Sequence, residues 1–183
     1  MNKNGLTMVE ICVAILITAL LAGGITIMFI NYNRHNQTLD QKLHFSTSAQ
    51  VLFEVLKTDL RSLKKIEVMP EKIDIEKVTD FNSEGEEISE TVSFEFANGV
   101  VNESRGDRRL SYQFLNDGMK KLGQKVNGSF GLLNSENSDK FTSGTFIARL
   151  SVADSSGTQL PGFEASMSMD IRWLNPDERP GSP

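Results

Sequence analysis

The chain has 183 residues with 24 acidic against 19 basic side chains, a formal net charge of −5. No basic patch with interleaved aromatics appears, which argues against nucleic acid as a partner, and a lone cysteine, Cys12, leaves no intramolecular disulfide to staple the fold. Once the apolar N-terminal region is set aside, roughly 150 residues remain, enough for one modest hydrophobic core.

In chain order, Met1 to Gly5 is a polar stretch with one lysine, ending in glycine. Leu6 to Ile30 is then almost wholly apolar. As a helix it would run about 37 Å at roughly 1.5 Å per residue, more than the roughly 30 Å hydrocarbon core of a bilayer. Glu10 interrupts this run one turn in. A carboxylate at the centre of a span costs about 2.5–3.5 kcal/mol, less near an end, so Glu10 needs a partner or a wet interface. Two readings stay open. Thr7-Met8-Val9-Glu10 fits a capping box, in which the threonine caps the helix and the glutamate reaches back to it; or Glu10 is a functional group held for a partner. Lys3 precedes the run while Arg34, His35 and Lys42 follow it, so the positive-inside rule does not choose an orientation. Gly23-Gly24 in mid-span loosens a helix locally or permits close packing, Ala19 and Gly23 forming a small-xxx-small pair.

A short polar leader closed by Gly5, ahead of the apolar run rather than after it, is unlike a secretory signal peptide. With Glu10 it resembles the processing signal of the type IV pilin and type II secretion pseudopilin superfamily. The resemblance implies cleavage by a prepilin peptidase between Gly5 and Leu6, methylation of the new amine on Leu6, and a Glu10 carboxylate paired with the first residue of a neighbouring subunit. The family usually has phenylalanine where Leu6 stands. The resemblance also implies an N-terminus in the cytoplasm, a bacterial inner-membrane anchor and a periplasmic C-terminal domain.

Beyond Ile30 there is no proline or glycine to stop the helix. Leu39, Leu43, Leu52, Leu56, Leu60 and Leu63 recur at helical spacing, so an amphipathic continuation is expected over 31–66, ended by Pro70. Lys57, Asp59, Arg61, Lys64 and Lys65 are expected to face away from that stripe. The chain then turns to strand patterning over 67–175. Ile73 and Ile75 suggest a short edge-like strand. After the acidic loop Ser83 to Glu87, Val92, Phe94 and Phe96 alternate towards the hairpin signal Asn98-Gly99. Leu110, Tyr112 and Phe114 alternate towards an Asn116-Asp117-Gly118 turn, followed by a segment in which Leu122 and Val126 face inward. Phe146 to Val152 and Phe163 to Trp173 are two strands expected to pair through the turn-rich Asp154 to Gly162. Residues 176–183, rich in proline and charge, read as a disordered tail.

These elements predict an α+β fold, a long N-terminal helix packed on an antiparallel β-sheet, divided as 1–5 leader, 6–30 transmembrane helix, 31–66 amphipathic helix, 67–175 β-rich domain and 176–183 tail. The order of motifs resembles the J-type minor pseudopilins and minor pilins of the pilW type, through Leu56-Lys57-Thr58-Asp59-Leu60-Arg61, Leu110-Ser111-Tyr112-Gln113-Phe114 and Leu160-Pro161.

Other motifs read more plainly. Arg105-Gly106-Asp107 is a charged turn of the kind that generates the adhesive tripeptide by chance. The sequons at Asn102 and Asn127 mark surface loops. His35 and His44 lack companions for a zinc site, and Glu84, Glu86 and Glu87 lack the alternation of a calcium loop. With no nucleophile-and-base set, phosphate loop or dinucleotide fingerprint, neither catalysis nor a cofactor is expected. The function implied is a minor pilin or pseudopilin initiating or capping a fibre. Its expected partners are the prepilin peptidase and methyltransferase, other minor subunits, an inner-membrane assembly platform and the lipid bilayer. The alternatives are a single-span envelope protein with a ligand-binding or sensing domain, and a secreted protein that loses the whole apolar run.

Overall fold

The computed structural model describes residues 7–137 and 141–174. Their order is α1 (Met8–Arg61), β1 (Leu63–Val68), β2 (Lys72–Phe81), β3 (Glu87–Ala97), β4 (Val100–Arg105), β5 (Arg108–Gln113), α2 (Asp117–Lys121), β6 (Lys125–Asn137), β7 (Phe141–Ala153) and β8 (Gln159–Leu174). The α+β class holds. The expected leader, 1–5, with Leu6, and the expected tail, 176–183, lie outside the described residues.

The chain separates into two units, residues 1–40 and 41–183. In the first, α1 contains a window of mean hydropathy 2.6, long and apolar enough to cross a membrane. Its side chains from Met8 to Asp40 are all exposed. Thr18 and Thr26 donate their hydroxyls to the carbonyls of Ala14 and Ala22, each at 2.8 Å, so the two hydroxyls between Ile11 and Ile30 are spent within the helix.

In the second unit, the rest of α1 supplies Phe45, Ala49, Leu52, Phe53, Leu56 and Leu60 to the core, a three-and-four spacing that keeps them on one face. Leu39 and Leu43, expected in that stripe, are exposed. The helix ends at Arg61 rather than near residue 66, and Leu63 to Val68 form β1. Pro70 lies in the β1–β2 turn, where Met69 N–H donates to Lys72 O at 2.7 Å. β-branched and charged residues alternate over Lys65-Ile66-Glu67-Val68, a pattern that suits a pleated surface better than a helical turn.

There are two antiparallel sheets, not one: a five-stranded meander, β1-β2-β3-β4-β5, and a three-stranded one, β6-β7-β8. Ile73 and Ile75 lie on an interior strand and are fully buried, which corrects their edge-like reading. The Asn98-Gly99 turn forms as its composition requires, with φ of 53° and 77° closing Ala97 onto Val100. Asn116 starts α2 instead of a turn, its Oδ1 accepting from Met119 N–H at 2.9 Å. Val126 points inward but Leu122 is exposed. β7 and β8 pair as expected, yet β8 begins at Gln159, so Pro161 and Gly162 lie inside it, at a register shift on an edge strand.

One core joins the helix and both sheets. Phe45 of α1 meets Phe114, which follows β5, and Phe163 of β8, edge-on, with ring centroids 6.4 and 6.0 Å apart. Gly128 of β6 lets the sheets approach: a Cβ there would lie 2.8 Å from the Phe96 ring of β3.

Candidate functional site

Gly5 and Leu6, the expected cleavage and methylation positions, lie outside the described residues, whereas Glu10 is placed in the first turn of α1. Its Oε2 accepts from Thr7 N–H at 2.8 Å and from Thr7 Oγ1 at 3.0 Å, while its own N–H donates to Thr7 Oγ1 at 3.3 Å. This is the reciprocal capping box. It satisfies orphan backbone groups at the helix start and leaves a carboxylate that is the single charge between Met8 and Asn33. Met8, Val9, Cys12, Val13 and Leu16 are all exposed around it, so a charge with no ion-pair partner among the described residues heads an apolar surface. Cys12 is a free thiol on that surface.

The second unit holds a polar centre that sequence reasoning missed. Asp59, expected to face away from the core, is 1% exposed in the last turns of α1. It receives Lys77 Nζ of β2 at 2.5 Å and Arg105 Nη2 of β4 at 2.8 Å. Arg105 also reaches Glu103 Oε1 at 3.0 Å, and Glu103, 4% exposed, accepts from the Tyr112 hydroxyl of β5 at 2.5 Å. Lys77 also lies 3.9 Å from Glu90, and both buried carboxylates, Asp59 and Glu103, are paired with cations. Burial pushes the Tyr112 phenol well above its usual 10.0, and the adjoining Glu103 carboxylate adds to this. Burial alone would lower the Arg105 guanidinium, but Asp59 and Glu103 outweigh it and raise it. Arg105-Gly106-Asp107 is therefore a hairpin turn whose arginine is spent inside the fold. The helical spacing carried a signal for Asp59, seven residues after Leu52 on the same face. Nothing in the sequence announced its partners.

In this network each buried carboxylate is held by at least one cation, and burial beside Glu103 holds the Tyr112 phenol protonated. Among the described residues no group of three or more His, Cys, Asp or Glu side chains could hold a metal ion. Glu84 and Glu86 sit on the exposed β2–β3 hairpin, where Asn82 organises the loop by accepting from both of their N–H groups.

Fold and site together define an α+β protein whose N-terminal helix is long and apolar enough to cross a membrane, with a carboxylate at its head. No known protein family, curated protein or solved structure matches the chain.

Proposed function

We propose that the protein is a minor pilin or pseudopilin, a structural subunit that initiates or caps a type IV pilus or type II secretion pseudopilus after a prepilin peptidase removes Met1 to Gly5. The observation that carries this reading is Glu10: one carboxylate at the head of a bare apolar helix that continues, without a break, to Arg61. In a bundle of such helices the carboxylate meets the amine on Leu6 of a neighbouring subunit, and each desolvated charge finds its opposite. The protein then sits in the bacterial inner membrane with its β-rich domain in the periplasm. It is a substrate of the peptidase and an enzyme for nothing. Other minor subunits and the assembly platform are its partners.

The test is the intact mass of the chain after coexpression with a prepilin peptidase. Loss of five residues with one methyl group on Leu6 is expected, and an unchanged N-terminus overturns the reading.

The Thr7–Glu10 capping box favours a second reading, because it satisfies the carboxylate within its own helix. The protein would then be a single-span envelope protein whose β-rich domain binds a ligand or senses a signal. That reading expects Met1 to Gly5 to persist.

A further inference from the structure

β5 is the last strand of the five-stranded sheet, and all its side chains are exposed except the half-buried Tyr112. It is joined to β4 by the two-residue turn Gly106-Asp107, with φ of +53° at Gly106 and Arg105 paired to Arg108. The closing pair of such a hairpin exchanges both backbone bonds, so Arg108, Leu110 and Tyr112 spend their backbone groups on β4. Arg109, Ser111 and Gln113 turn theirs outward, and no described residue bonds them.

The other edge strands, β1, β6 and β8, each carry a register shift where β5 does not. β1, at the opposite edge of the sheet, is bulged at Leu63–Lys65 and runs against β8, whereas the β4–β5 register is unbroken. The β5 edge is also held rigid. Tyr112 is tied to buried Glu103, and Phe114 immediately after the strand is fully buried. A preformed edge loses little freedom on pairing with another strand.

Its charge is opposite to that of the whole molecule. From Asp107 to Lys121 there are four cations, Arg108, Arg109, Lys120 and Lys121, against two anions, Asp107 and Asp117, in a chain of net charge −5. None of the four cations is ion-paired with a described residue. Two such edges repel each other, which disfavours β5-to-β5 pairing of two copies. An acidic strand is attracted.

We propose that the outer edge of β5 is a docking edge for an extended, acidic segment of a neighbouring polypeptide, which adds a sixth strand through the backbone of Arg109, Ser111 and Gln113. Leu110, 58% exposed, supplies an apolar side-chain contact, while Arg108 and Arg109 select for carboxylates. Nothing in this pairing requires removal of the leader, so it can fail or succeed independently of the fibre-subunit reading.

The test uses the full chain in detergent micelles with two blocked synthetic peptides, one alternating glutamate and valine and the other alternating lysine and valine. Amide hydrogen exchange is read residue by residue. The acidic peptide is expected to slow exchange at Arg109, Ser111 and Gln113. The double variant Arg108→Glu with Arg109→Glu is expected to weaken its binding by about tenfold or more, and raised salt to weaken it in the wild type. Ser111→Pro removes an outward N–H that the fold does not use and should abolish the protection; the double charge variant carries the test if the proline variant fails to fold. Equal protection by the lysine peptide, or none at those three amides with the acidic one, overturns the proposal. Protection that rises with protein concentration in the absence of peptide makes a second copy the occupant, and overturns the choice of partner.

Discussion

Asp59 stands where the spacing of Leu52, Leu56 and Leu60 calls for an apolar side chain, and it is tolerated there because Lys77 and Arg105 arrive from two different strands. Removing one member of a buried ionic set leaves the others desolvated and unpaired. Asp59→Ala is accordingly expected to cost about 3–5 kcal/mol of folding stability, measured by urea unfolding of the chain in micelles. At the other end of the network, Tyr112 provides a test by pH. Its folded-state value lies above the unfolded one, so the folded protein holds the phenolic proton more tightly. The resulting stability is fully present below pH 10 and is lost as pH rises through the folded value. In a Tyr32→Phe background, a spectrophotometric titration should show Tyr112 ionising later than in an unfolded control; ionisation at the same pH as the control would refute this. Asp59 was legible as a residue on the buried face, but its partners were not, because residues 18 and 46 positions away leave no periodic trace.

Period-two alternation made the strongest elements readable: β3, β7, and β8 from Phe163 onward. It failed for β6, where Gly128, Ser129, Gly131 and Asn134 dilute the pattern although the strand pairs with β7 along most of its length. Those same glycines separate packing from propensity. A methyl group at position 128 would meet the Phe96 ring at 2.8 Å and Leu150 at 3.0 Å, while one at 131 would meet nothing within 4 Å. Gly128→Ala is expected to destabilise by about 1–3 kcal/mol, with Gly131→Ala nearly neutral, and matched thermal unfolding curves would compare them. Equal effects would mean that the two sheets do not press together at this point. The end of α1 was misplaced for a related reason. Helical spacing of leucines continues through Leu63, yet pairing with β2 recruits Leu63 to Val68 into the sheet.

At the level of the whole molecule, the chain divides into a unit built on an apolar helix and a β-rich unit. Met8 to Ile30 is exposed along its whole length, and under the proposed function lipid or neighbouring helices cover it. Glu10→Gln removes the charge while keeping the size of the side chain and its ability to accept from Thr7. Under the proposed fibre-subunit function, the variant is expected to be inserted normally but lost from the sheared fibre fraction of cells assembling fibres, read by immunoblot against the wild type. Its β-rich domain should unfold at the same temperature, since Glu10 and Thr7 bond each other within one helical turn. A variant that enters fibres as well as the wild type would leave Glu10 with its capping role alone.

Local chemistry along the chain was enough to establish the span-capable helix, the Glu10 capping pattern, the α+β class and the Asn98-Gly99 hairpin, because each depends on residues within a few positions of one another. Only the tertiary structure could decide that the strands divide into two sheets, that Asp59 is buried between cations, that Gly128 is a point of close approach and that β5 is left with an open edge. Those outcomes depend on segments brought together from distant parts of the chain, where packing and charge pairing outweigh the preferences of any single stretch.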